Sequence, residues 1–433
     1  MNRSFTFGCG QGATKAMIYC IENGTLDKNE CCVVNSTIKD IPEDYRDRCI
    51  IISEDPDAGC GKVRAAAKKL MINYLRNNPN VIEELIPDDV QYVNIITTTE
   101  GASGSGASVV LAKWIESQIG LPVMITLICG FESDTRGLQN TIEYFKDLEG
   151  GNYIVKTVSN KRFLEKTSNT FVAERLANED IATGIKVVNA FDIVDSEQNI
   201  DDTDHYKLIT NPGMMFVTEV TFDKKLKNPN QFDQIVSDAI DYSSSLDFEP
   251  SATKIGVFMN ISDDNLSVID TSFSAIKKKL CGNNTIEEFF VHRQYVSSEP
   301  EFIRIIASGM NLPKEELQDM YAKYQKNLKA STNDDDFFSA ISGMETITQQ
   351  STHTKKNTDD DFFSKFDNEE TNEETDMVIR RSKRRRPTGS SGTPQATVNS
   401  DGYEKKKNVF TAKKTGSSNN SSPYSEDLIN GNI

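Results

Sequence analysis

A chain of 433 residues is long enough for two or three domains of about 100 to 200 residues, with large cores that need no disulfide staples. Its 48 Lys and Arg against 65 Asp and Glu leave a net charge of −17, which excludes a nucleic-acid binder working through its whole surface. The eight cysteines, Cys9, Cys20, Cys31, Cys32, Cys49, Cys60, Cys129 and Cys281, include no CxxC pair. That usage points to reduced thiols in a cytosolic protein instead of a zinc site or a disulfide framework. No apolar run reaches membrane-spanning length, and the opening MNRSFTFGCG reads as the start of a strand, not as a signal peptide.

In chain order, short β-branched runs (CCVVN, RCIIIS, YVNIITTT, VMITLICG, YIVKTVS) alternate with helical patterns such as VRAAAKKLMINYLRNN and VVLAKWIESQIG. The alternation predicts an α/β fold of Rossmann type, a mostly parallel sheet covered by helices on both faces, over residues 1–170. Leu176, Ile181, Ile185, Val188 and Phe191 recur at helical spacing and predict a buried central helix over 171–198. The runs MFVTEVTF, KIGVFMNI, EFFVHRQY and EFIRIIAS with intervening helices predict a smaller α/β domain over 199–330. From 331 to 433 the chain has 17 acidic and 14 basic residues and no sustained apolar period, the composition of a disordered tail.

Two glycine strings stand where a strand turns into a helix. The first is Gly8-Cys9-Gly10-Gln11-Gly12 and the second Gly101-Ala102-Ser103-Gly104-Ser105-Gly106. Glycine lets backbone amides approach an anion, and a helix N-terminus adds favourable partial charge, so each string suits a phosphate. The first alone also fits a dinucleotide fingerprint or a plain tight turn. A nicotinamide site is disfavoured because the second strand ends in Val34-Asn35-Ser36, with no acid to hold a ribose. Gly59-Cys60-Gly61-Lys62 offers a third flexible turn, but Pro56 and Val63 break the P-loop spacing.

The second string resembles the G-G-T-G-T-G signature of the tubulin and FtsZ superfamily, with Glu100 in place of a glycine. Other family patterns follow in order. Asn35-Ser36 resembles the N-T-D loop; Phe131-Glu132-Ser133-Asp134-Thr135-Arg136 partly matches F-E-G-x-x-R; Val158-Ser159-Asn160-Lys161-Arg162-Phe163 resembles I-P-N-D-R-L. Asn178 stands where the family's helix Asn contacts guanine, and Asp201, 23 residues on, opens Asp201-Asp202-Thr203-Asp204, similar to the family loop whose acids act on the next subunit's nucleotide. Glu174 replaces the aromatic one turn before that Asn. The resemblance covers about residues 4–310.

The resemblance implies a GTPase that stacks head to tail into filaments, with GTP and Mg2+ as cofactors and a second copy of itself as partner. It implies that Gly8, Cys9, Gly10, Gln11, Gly12, Asn35, Gly59, Gly61, Gly101, Ala102, Ser103, Gly104, Ser105, Gly106, Glu132, Arg136, Asn160 and Asn178 surround the nucleotide. Asp201 and Asp204 would orient the attacking water in a neighbouring subunit. Plainer readings stand beside these: the acids fit an N-cap, and Glu132 with Arg136, four apart, fits a salt bridge. Tyr206 to Gly213, with its Thr210-Asn211-Pro212-Gly213 string, more resembles the TubZ branch of plasmid and phage tubulins than the cell-division branch, which implies DNA segregation or positioning. In the tail the string DDDFFS occurs twice, at 334–339 and 359–364, ahead of the basic block Arg380-Arg381-Ser382-Lys383-Arg384-Arg385-Arg386. These read as docking elements for an adaptor protein or a DNA complex, or as duplicated low-complexity sequence.

Overall fold

The computed structural model describes residues 3–342 apart from 56, 58, 191–199, 223 and 224; the side chains of 329–342 are also outside the description. Ten strands form one sheet: β1 (Ser4–Cys9), β2 (Cys31–Asn35), β3 (Cys49–Ile51), β4 (Tyr92–Thr98), β5 (Val123–Cys129), β6 (Ile154–Ser159), β7 (Gly213–Phe222), β8 (Lys254–Asn260), β9 (Glu288–Gln294) and β10 (Glu301–Met310). Their order is β3-β2-β1-β4-β5-β6-β7-β10-β8-β9. From β3 to β7 all neighbours are parallel. Strand β10 enters antiparallel between β7 and β8, and β9 lies parallel to β8 at the edge.

The α-helices among the described residues are α1 (Gln11–Glu22), α2 (Arg64–Asn77), α3 (Val81–Leu85), α4 (Ala102–Trp114), α5 (Thr135–Leu148), α6 (Asn160–Thr167), α7 (Thr170–Asn189), α8 (Asp202–Ile209), α9 (Pro229–Asp241), α10 (Asp263–Leu266), α11 (Ser274–Cys281) and α12 (Lys314–Ser342). Every residue of β1, β2, β5 and β6 is buried. Burial on both faces is why β2 and β5 read as nearly continuous apolar runs, whereas the buried residues of β1 and β6 also include Ser4, Thr6, Lys156 and Thr157. On one face α1 and α7 pack together: Ala13, Ala16, Met17 and Cys20 of α1 share a core with Ala173, Ala177, Ile181 and Ile185 of α7, over Ile96, Ile128 and Val158 of the strands. Helix α4 is buried over most of its length and packs against α2 and α5.

The mixed α/β fold read from sequence is present. The second set of strands, however, continues the first sheet through a short pairing of Ile154, Val155 and Lys156 with Gly213, Met214 and Met215. Helix α7 carries the expected central pattern up to Asn189; residues 191–198 of that segment lie outside the described residues. Helix α12 runs past residue 331 to Ser342, because no proline or glycine interrupts the chain between Pro313 and Gly343. The first DDDFFS copy falls within that helix; the rest of the tail, 343–433, is outside the described residues. All eight cysteines are free thiols. Among the described residues no helix is long and apolar enough to cross a membrane.

Candidate functional site

The carboxyl ends of β1, β2, β4 and β5 open into a cavity of about 510 Å³. Of the site residues read from sequence, ten line it: Gly10, Gln11, Gly12, Asn35, Gly101, Ala102, Ser103, Gly104, Asn160 and Asn178. Helices α1 and α4 both begin there, on Gly10 and Gly101, and neither start has a side-chain cap. By contrast α5, α7, α8 and α9 begin on Asp134, Asn169, Asp201 and Asn228, whose side chains accept from their own first-turn amides. Two helices thus bring uncommitted amides and two positive dipole ends to one cavity, an arrangement that holds an anion.

The two glycine loops reach each other. Gly10 has φ +83°, and a Cβ built on it would lie 2.7 Å from the Gly104 amide nitrogen; a Cβ on Gly104 would lie 2.4 Å from the Cys9 carbonyl oxygen. Both contacts are far inside van der Waals range, so this crossing requires glycine on both sides. Ser103 ties the loops to the β2 end, its Oγ 2.7 Å from Ser36 Oγ. Asn35 is 1 % exposed, and although its Oδ1 accepts from the Ser36 amide at 2.9 Å, its Nδ2 has no partner; Asn160 Oδ1 is likewise buried and unpaired. A buried polar atom without a partner costs about 1–3 kcal/mol, and both residues line the cavity, where a polar ligand would supply the missing bonds.

The other residues read from sequence lie around this centre. Gly8 and Cys9 are inside buried β1. Ser105 is fully buried and its hydroxyl donates to the Gly101 carbonyl within α4, while a Cβ on Gly106 would meet the Arg64 carbonyl of α2 at 2.6 Å. These two small residues therefore serve the approach of α2, where buried Arg64 donates to the Ser105 carbonyl at 3.1 Å. Gly59 and Gly61 are outside the cavity wall, which the loop before α2 reaches through Lys62; Lys62 also pairs with Asp134 at 2.8 Å. Arg136 is exposed and donates to Gln139 at 3.0 Å, not to Glu132.

Glu132 has φ +54° and is 8 % exposed; it binds Lys161 of α6 and Lys323 of α12, each at 3.2 Å. Its amide donates to Glu100 Oε1 at 2.7 Å. The Glu100 side chain is thereby folded back onto the loop after β5, packed against Gly130 and Gly137. Burial raises its pKa, partly offset by the hydrogen bond from the Glu132 amide, so the carboxyl beside the phosphate loop is biased towards its neutral form.

Asp201 and Asp204 are remote from the cavity. Ile200 packs beside a core of Tyr92, Met124, Ile154, Val187, Val188, Leu208 and Ile209, at the amino ends of β4, β5 and β6. The cavity lies at the carboxyl ends, roughly 20 Å away for seven-residue strands. Asp201 caps α8, accepting from the Asp204 amide at 2.7 Å, and Asp204 Oδ1 accepts from Lys207 at 2.9 Å. The Thr210-Asn211-Pro212-Gly213 string forms the turn from α8 into β7, with Asn211 Nδ2 donating to Thr253 at 2.9 Å.

Neither protein-family models nor curated proteins give a match to the chain. Solved structures do. TubZ of Clostridium botulinum phage c-st superposes with a TM-score of 0.58 at 15% identity, over 76% of this chain and 99% of that one. The chain carries the tubulin/FtsZ fold. CetZ2 of Haloferax volcanii, in a GTPγS-bound protofilament, gives 0.61 at 15% identity over 76% and 99%. TubZ of Bacillus thuringiensis serovar israelensis, in a GTPγS-form protofilament, gives 0.60 at 16% identity over 77% and 94%. Within this tubulin/FtsZ-like chain, the cavity wall also includes Lys15, Asp40, Thr98, Ile128 and Gly130, which the sequence reading passed over. Lys15 was findable: it lies one turn beyond Gln11 on α1.

Proposed function

We propose that this chain binds GTP in the cavity between α1 and α4 and hydrolyses it when a second copy docks head to tail. The observation that carries the reading is the convergence of two uncapped helix starts across the Gly10–Gly104 contact, with the candidate acids at the other end of the sheet. The amides at residues 11–12 and 101–104 hold the phosphates, and Asn160 and Asn178 face the base. Bound magnesium neutralises phosphate charge; among the described residues no group of three or more His, Cys, Asp and Glu could hold a metal, so the phosphates and water would supply most of its ligands.

Phosphoryl transfer is mainly positioning and charge stabilisation, and the remaining need is a group that orients water. Asp201 and Asp204 of the following copy meet it. A contact between unlike surfaces that does not close on itself propagates as a filament, so turnover occurs inside the polymer. The solved TubZ and CetZ protofilaments support a polymerising role. The resemblance of the α8–β7 segment to the TubZ branch favours plasmid or phage DNA segregation, with the segment from 331 onward reaching an adaptor or DNA complex. High-speed sedimentation with GTP, GDP and GTPγS, with phosphate release measured in parallel, tests this. Pelleting with GTP and GTPγS but not GDP is expected; a chain that binds GTP yet stays in the supernatant at all concentrations contradicts polymerisation.

A further inference from the structure

Glu174 places a carboxyl group on the wall of the cavity into which the uncapped starts of α1 and α4 open. It is on α7, one turn before Asn178, and both line the cavity. Neighbouring side chains on the helix are engaged elsewhere: Arg175 pairs with Glu179 at 2.6 Å, and Asp180 accepts from Ser244 at 2.8 Å. Among the described residues no side-chain hydrogen bond or ion pair engages Glu174, and α7 is already capped by Asn169, so neither partner nor helix end accounts for it. Lys15 of α1, which packs against α7, also lines the wall.

With the phosphates seated at Gly10 and Gly104, the base is left for the wall that carries Asn178 and Glu174. A carboxylate accepts hydrogen bonds only, and Lys only donates them. Guanine offers two adjacent donors, N1–H and the 2-amino group, beside the acceptor O6. Adenine presents an acceptor at N1 and a donor at N6, which sets like against like. We propose that Glu174 is a specificity-determining residue that accepts from N1–H and the 2-amino group of guanine, with Lys15 on the O6 side. The inference rests on the reading that this cavity binds a nucleoside triphosphate, and it gives a role to the residue that stands where the resemblance has an aromatic.

The test is calorimetric titration of the full chain with the magnesium salts of GTP, ITP and XTP, for wild type, Glu174→Gln and Glu174→Ala. Inosine lacks the 2-amino group, and xanthine has an oxygen there. Wild type is expected to hold GTP about tenfold more tightly than ITP, the value of one charge-assisted bond at ~1.4 kcal/mol, and to hold XTP weakest. Glu174→Gln, whose amide can donate to the xanthine oxygen, should narrow the GTP-to-ITP gap below about threefold and shift the XTP-to-GTP ratio about tenfold towards XTP. Glu174→Ala should narrow the first gap without the gain for XTP. Unchanged ratios in both variants, with GTP still bound, overturn the role of Glu174 alone. A wild-type chain that binds no triphosphate overturns the nucleotide reading itself.

Discussion

At the carboxyl ends of the parallel strands, α1 and α4 start on glycine with their amides uncommitted, and Asn35 and Asn160 keep buried polar atoms unpaired. At the amino ends, α8 starts on Asp201, whose side chain accepts from the Asp204 amide, and packs through Leu208 and Ile209 against Tyr92, Met124 and Ile154. The first region is unsaturated; the second is closer to saturated, its helix start capped by Asp201, which is exposed, with Asp204 half-buried beside it. On the proposed reading a single copy holds the nucleotide, while the acids assigned to act on it, Asp201 and Asp204, lie at the other end of the sheet.

The largest effect should come from closing the unsaturated end. Gly104→Ala drives a Cβ to within 2.4 Å of the Cys9 carbonyl oxygen, and the backbone on both sides has to shift. Affinity for GTP, measured by equilibrium titration, is expected to fall at least a hundredfold; a loss below about threefold would mean that the crossing of the two loops is not the phosphate cradle.

At the saturated end, cap and catalysis can be separated. Asp201→Ala should lower stability by about 1 kcal/mol through the lost cap, whereas Asp201→Asn keeps a good cap and removes the charge. On the proposed role Asn also slows phosphate release by a factor of about 100 while filaments persist and accumulate. If the Asn variant turns over normally and only the Ala variant is impaired, Asp201 is a helix cap and nothing more.

A smaller effect concerns pH. His205 is buried beside Phe258, with ring centroids 6.0 Å apart, and burial lowers its pKa from the ordinary 6.5 to about 4. Between those values the unfolded chain takes up a proton that the folded chain refuses, so stability falls as pH drops through that window and levels off below about 4. Each tenfold difference in proton affinity is worth about 1.4 kcal/mol. A lower urea midpoint at pH 5 than at pH 7 is expected, with a smaller difference in His205→Gln; an equal difference in both chains would locate the acid sensitivity elsewhere.

The two ends were not equally legible in the sequence. Gly10 to Gly12 and Gly101 to Gly104 stood out because a strand, a glycine run and a helix follow one another locally, and the nearly continuous apolar character of β2 and β5 marks strands buried on both faces. Which strands pair at long range is not written locally, so the insertion of β10 between β7 and β8 could not be read. Nor could the tie of Glu132 to Lys323, 191 residues away, or the use of Gly106 to admit α2 instead of a ligand. Glu174 was visible only as a departure from a pattern; its place on the cavity wall gives that departure a chemical meaning.

The most direct measurement is phosphate release per molecule as a function of protein concentration, with GTP saturating throughout. Separation of the cradle from the acids predicts a rate near zero for dilute monomer that rises steeply above a threshold concentration, in step with sedimentable polymer. A rate per molecule that is the same from the most dilute to the most concentrated sample would contradict it, because one copy alone would then contain everything the reaction needs.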